Sequence, residues 1–150
     1  MRLARGSMPT GAVVILGVSV AVIALLMWSR GRVAPAPTVF SEHLTLASAE
    51  ARAAEEHRVV VAVATADWCG PCQAYKRGAL ADPAVVAWMG AHAVPVMIDV
   101  TNGASAESER PGVSSIPATF VMREGKVVAS AVGNASAAEL VAMLESAAGE

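Results

Sequence analysis

The chain has 150 residues, with 11 Lys and Arg against 13 Asp and Glu, a formal charge of −2 and a pI near 5.9. That balance argues against nucleic-acid binding, which needs a clustered excess of Lys and Arg to meet phosphate. The two cysteines lie in one short motif, which excludes a framework of structural disulfides within a single chain.

Hydrophobic residues make up 55% of the chain, and part of that excess is concentrated near the start. No charged residue lies between Arg5 and Arg30, and Gly11 to Trp28 is 18 residues of almost unbroken apolar character. As a helix rising about 1.5 Å per residue it would reach roughly 27 Å, close to a hydrocarbon core of about 30 Å. The pattern predicts a flank over residues 1–10 and a transmembrane anchor over residues 11–28. Gly11, Gly17 and Ser19 would weaken a helix in water but are tolerated in membrane spans.

A cleaved secretory signal is the competing reading, with Arg2 and Arg5 as its charged start. The run exceeds a usual signal core of about 7–15 residues and ends in Trp28, Arg30 and Arg32. The candidate cleavage triplet Ala34-Pro35-Ala36 is followed by Pro37, which hinders cleavage. Arg2, Arg5 and the terminal amine oppose Arg30 and Arg32, read as membrane-flank charges, and the positive-inside rule leans toward the N-terminus inside. The rest of the chain is then expected outside the cytoplasm.

Residues 29–37 mix Gly, Pro and Arg and predict an extended tether. Residues 38–150, about 113, suffice for one domain and not for two. Thr45 to Glu56 predicts an amphipathic helix, with Glu50, Arg52, Glu55 and Glu56 toward water. Val59 to Ala64 is a β-branched run without alternation, as in a central parallel strand buried on both faces.

The Cys motif follows, then helical composition from Gln73 to Leu80. Asp82 and Pro83 form a cap and first position for another helix, where Trp88 and Met89 pack inward. Ala93 to Val100 predicts a second buried strand, and Thr101 to Gly112 a polar loop with one helical turn. Ala118–Met122 and Lys126–Ala131 predict a hairpin turned at Gly125. Ser136-x-x-Glu139 is a capping box opening a last helix. The order predicts an α/β fold with a central mixed β-sheet flanked by helices, preceded by one transmembrane helix.

Cys69-Gly70-Pro71-Cys72 sits where a buried strand gives way to a helix. Unpaired N–H groups and the positive dipole end at the helix start would stabilise a thiolate on Cys69, making it the nucleophile. Cys72 lies one turn on, within disulfide reach and nearer the interior. Attack by Cys69 on a substrate disulfide and resolution by Cys72 is the chemistry such a pair supports.

With these residues the chain resembles the thioredoxin superfamily. The likeness rests on Trp68-Cys69-Gly70-Pro71-Cys72, on Ile116-Pro117 before a strand, and on the element order, over roughly Val39 to Gly149. Asp67-Trp68-Cys69, Ala81-Asp82-Pro83-Ala84-Val85 and Ile98-Asp99-Val100-Thr101 look most like the C-terminal domain of DsbD-type thiol:disulfide interchange proteins.

The resemblance implies a thioredoxin fold and a catalytic pair Cys69 and Cys72. It also implies substrate contacts at Trp68, Gly70, Pro71, Ile116 and Pro117, with Ile116-Pro117 as a cis-proline substrate clamp. No metal and no cofactor beyond the Cys69–Cys72 redox disulfide are expected. The partners implied are protein disulfide substrates, a separate electron-donor protein and, through the apolar helix, the membrane. The place implied is a bacterial inner membrane, single-pass, with the domain periplasmic.

One departure stands out. Thioredoxins commonly carry a buried acid six residues before the first cysteine, and that count lands here on Val63. Cys72 would then lose its proton to water or to Asp67, and resolution would be slower.

Two readings from other classes remain open: a non-catalytic peptide-binding module of the same fold, and a Cu(I) thiol carrier, since soft thiolates suit Cu(I). A zinc site needs about four ligands, and His43, His57 and His92 are scattered and take no role. Asn134-Ala135-Ser136 matches a glycosylation triplet by chance.

Overall fold

The computed structural model describes residues 10–30 and 33–149. It divides into two compact units, Met1–Arg32 and Val33–Glu150. In the first, α1 (Thr10–Arg30) is a continuous 21-residue helix. Its Gly11–Trp28 window has a mean hydropathy of 2.6 and buries none of its residues, so the helix is long and apolar enough to cross a membrane. Arg2, Arg5 and Arg32, on which the reading of orientation depends, lie outside the described residues.

The second unit is built around β1 (Val59–Thr65), all seven residues of which are buried. Alternate side chains of a strand face opposite ways, so a β-branched run without polar interruptions suits a strand covered on both faces. β1 runs parallel to β2 (Ala93–Asp99) and antiparallel to β3 (Ala118–Arg123), which pairs antiparallel with β4 (Lys126–Val132). The sheet order is β2-β1-β3-β4.

Val59, Val61 and Val63 enter one core with Tyr75, Leu80, Val85, Met89, Leu140 and Leu144. These come from α3 (Gly70–Arg77), a short 3-10 turn, α4 (Pro83–His92) and α6 (Ala137–Ala148). Val60, Ala62 and Ala64 enter the other core with Leu46, Ala49 and Ala53 of α2 (Leu46–Glu56). Full burial of each such Val contributes about 1.5–3 kcal/mol. The expected mixed sheet with helices on both faces is the observed architecture.

The capping residues act as their types dictate. The Thr45 side chain accepts from the Ser48 amide and the Asp82 side chain from the Ala84 amide. Ser136 and Glu139 form both bonds of a capping box. The hairpin turns on Glu124 and Gly125, with φ of 51° and 73°, the two positive values that a tight primed turn requires. The single helical turn expected in the loop after β2 is α5 (Ala106–Glu109).

Two elements differ from expectation. The helix of the Cys motif opens at Gly70 directly after Cys69, as expected, but ends at Arg77 rather than Leu80, with Gly78 following. Pro71 lies in its first turn, where a missing N–H costs nothing because that position has no intrahelical partner. Within residues 33–37, expected as part of a tether, Ala34 and Pro37 are buried, and Phe40 joins the core beyond them.

Candidate active site

Cys69 is the N-cap of α3, and its Sγ accepts a hydrogen bond from the Cys72 amide at 3.2 Å. The sulfur thus occupies the place where a capping oxygen satisfies a free N–H and meets the positive end of the helix dipole. Cys69 and Cys72 are joined by a disulfide with Cα atoms 5.2 Å apart. Cys69 is 5% exposed and Cys72 1%, so the N-terminal sulfur belongs to the more accessible residue. Gly70 and Pro71 between them are exposed on the first helical turn.

The turn that delivers Cys69 is held from two sides. From the loop after β2, Thr101 accepts the Asp67 amide on its Oγ1 at 2.9 Å and the Trp68 indole N–H on its carbonyl at 3.1 Å. The Thr101 amide and hydroxyl in turn donate to Asp99 Oδ1. From α3, Gln73 Nε2 donates to the Ala66 carbonyl at 2.8 Å and the Asp67 carbonyl at 3.3 Å, while its Oε1 accepts from the Ala34 amide at 2.7 Å. Gln73 is buried with all its hydrogen bonding internal to the domain.

Trp68 is 69% exposed. Its ring borders a hollow of about 270 Å³ lined also by Val100, Gly103, Ser108, Val113 and Ile116. Ile116 packs on the cysteine pair together with Ala66 and Val100. The Ile116-Pro117 peptide bond is cis, and Pro117 is buried at the start of β3. The residues predicted for the site therefore converge: both cysteines and Ile116 in one apolar cluster, Trp68 at the adjoining hollow, Gly70 and Pro71 on the turn, and Pro117 next to Ile116.

Val63 is buried in β1 and is paired with Thr119 across the sheet. Next to it in the core, the Tyr75 and Thr119 hydroxyls meet at 3.0 Å. Burial pushes the Tyr75 phenol above its usual pKa, and the Thr119 hydrogen bond only partly offsets this. Gln73 and the Tyr75–Thr119 pair escape sequence reasoning, since their partners lie far off in the chain, and Asp99 and Thr101 enter it through the resemblance alone, not as a brace for the turn. A polar Gln directly after the motif is the one local signal.

Among the described residues, no three His, Cys, Asp or Glu side chains are placed to hold a metal ion together. Arranged this way, the pair can exist as a dithiol or a disulfide, with one sulfur at a helix start and a hollow beside it.

A family profile described as "Thioredoxin-like domain" matches residues 46–148. Several solved structures are similar. A thioredoxin from Thermus thermophilus is 22% identical, with a TM-score of 0.59 over 67% of this chain and 82% of that one. The oxidised C-terminal domain of DsbD from Neisseria meningitidis is 24% identical, with a TM-score of 0.58 over 67% of this chain and 90% of that one. A mutant thioredoxin from Halobacterium salinarum is 28% identical, with a TM-score of 0.51 over 65% and 80%. No curated protein matches the chain. With its profile covering most of the 150 residues and its fold shared with these structures, the chain belongs to the thioredoxin-like domain family.

Proposed function

We propose that the protein is a membrane-anchored thiol:disulfide oxidoreductase that mainly reduces disulfides of extracytoplasmic proteins. The observation that carries this reading is the Cys69–Cys72 disulfide at the start of α3, with the Cys69 sulfur in the capping position. In the reduced enzyme, the Cys69 thiolate attacks one sulfur of a substrate disulfide. The substrate S–S bond breaks, one substrate thiolate leaves and takes up a proton, and a Cys69–substrate disulfide forms.

Cys72 then loses its proton to water and attacks Cys69 Sγ. The second substrate thiolate leaves, and the Cys69–Cys72 bond closes. Two electrons pass from the enzyme to the substrate, which gains two thiols. A separate dithiol protein, as electron donor, restores the enzyme by the reverse exchange. Trp68, Gly70, Pro71, Ile116 and Pro117 bound the surface that the substrate meets. The Gly70-Pro71 pair, as in thioredoxin itself, favours a reducing potential and hence the reductive direction.

The apolar length of α1 supports a single-pass membrane location, and the lean of the flanking charges favours a domain in the periplasm. The decisive experiment is trapping in cells. Cys72→Ala is expected to accumulate mixed disulfides with discrete proteins, and Cys69→Ala to accumulate none. Equal patterns from the two variants would remove the enzymatic reading. A reporter fused after Glu150 that matures only in the cytoplasm is expected to stay silent, and signal from it would reverse the topology.

A further inference from the structure

The segment Val33–Phe40, through which the chain enters the domain, is bonded to the redox motif by one side chain. The Ala34 amide donates to Gln73 Oε1, and Gln73 Nε2 donates to the Ala66 and Asp67 carbonyls. Ala66 also accepts the Cys69 amide at 3.2 Å. Ala34 is 3% exposed and Gln73 4%, so neither can exchange these bonds for water without leaving its place, and a buried amide stripped of its partners costs about 1–3 kcal/mol. Gln73, itself on α3, thus joins the entering segment to the turn before Cys69.

We propose that Gln73 is a positioning residue for Cys69, and that the entering segment is part of the same device because the Ala34 amide fixes the orientation of the Gln73 side chain. With Oε1 held by Ala34, the amide has one orientation, its nitrogen facing the Ala66–Asp67 turn. That turn places the Cys69 sulfur over the first N–H groups of α3, where a thiolate is stabilised. The inference rests on the oxidoreductase reading and adds to it a dependence of the nucleophile on the chain that enters the domain.

The charged groups around the turn are few. Asp67 lies on it and is exposed, and Asp99 reaches it through Thr101. Lys76 and Arg77 lie a turn or more along α3. The hollow on the Trp68–Ile116 side is lined without a charged residue.

The test measures carboxymethylation of Cys69 against pH in the reduced full-length protein in detergent, in a Cys72→Ala background so that one thiol reports. Gln73→Met keeps the volume and removes all three bonds, and Ala34→Pro removes the N–H that donates to Oε1 while leaving Gln73 itself in place. Each is expected to slow the reaction about three- to tenfold at pH 7 and less than about twofold at pH 9.5, where the thiolate is already formed. The double variant is expected to go no further than Gln73→Met alone. Profiles that coincide with the parent in folded Gln73→Met would overturn the proposal. If that variant does not fold, an unshifted profile for Ala34→Pro does the same. The alkylation readout needs no turnover, so failure of the oxidoreductase reading, seen as a wild-type pair that does not cycle with glutathione, is told apart from failure of this one.

Discussion

Tyr75 of α3 and Thr119 of β3 are joined through their hydroxyls, 3.0 Å apart and buried in the core. The bond lies two residues along β3 from Pro117 and three along α3 from Cys72, so it ties together the two elements that carry the candidate site. Tyr75→Phe leaves the Thr119 hydroxyl without this partner and is expected to destabilise the domain by about 1 kcal/mol. The loss has a pH signature. The Tyr75 phenol has a folded pKa above its unfolded value near 10, so its contribution is complete below pH 10 and is lost as pH rises through the folded value. Denaturant melts of the two proteins should therefore converge above pH 10, and parallel curves up to pH 11 would contradict the assignment.

Val63 stands where the superfamily resemblance places a buried acid. Val63→Asp is expected to raise the rate at which Cys72 resolves a mixed disulfide, read by stopped-flow turnover, because a carboxylate there would accept the Cys72 proton. The same change puts an ionisable group among apolar neighbours and is expected to cost roughly 3 kcal/mol. A less stable protein with no gain in rate would show that proton removal does not limit resolution.

Much of this was legible from local signals. The Val59–Ala64 run, the Asp82-Pro83 and Ser136–Glu139 caps, the Glu124-Gly125 turn and the Cys motif each act within a few residues, and each is found where its chemistry predicts. What escaped depends on distance along the chain. Gln73 meets Ala34 across 39 residues and Tyr75 meets Thr119 across 44. Polar residues on a helix look solvent-facing until their partners are known.

Trp68 is expected to matter for turnover far more than for folding. Its side chain is mostly exposed and contributes one hydrogen bond, to the Thr101 carbonyl. Trp68→Ala is expected to cost less than about 1 kcal/mol of stability and to lower kcat/KM for a protein disulfide about tenfold, through lost contacts near the reacting sulfur. Unchanged kinetics with a large fall in Tm would make it a packing residue.

Glu139 accepts from the Ser136 amide at 2.8 Å and from the Ser136 hydroxyl, which hold its pKa below the usual carboxylate range. A depressed folded pKa means stability present above the unfolded value, about 4.3, and lost as pH falls through the folded one. Wild type and Glu139→Gln are expected to differ at neutral pH and to converge below pH 4 in thermal melts. A constant gap across that range would show that the carboxylate charge contributes nothing to the cap.

Pro95 lies within β2, an outer strand of the sheet. A proline has no N–H to offer an incoming strand, and natural sheets use this to blunt their free borders. A border that can be extended strand by strand invites aggregation. With Pro95 in its row of donors, the β2 side resists such growth.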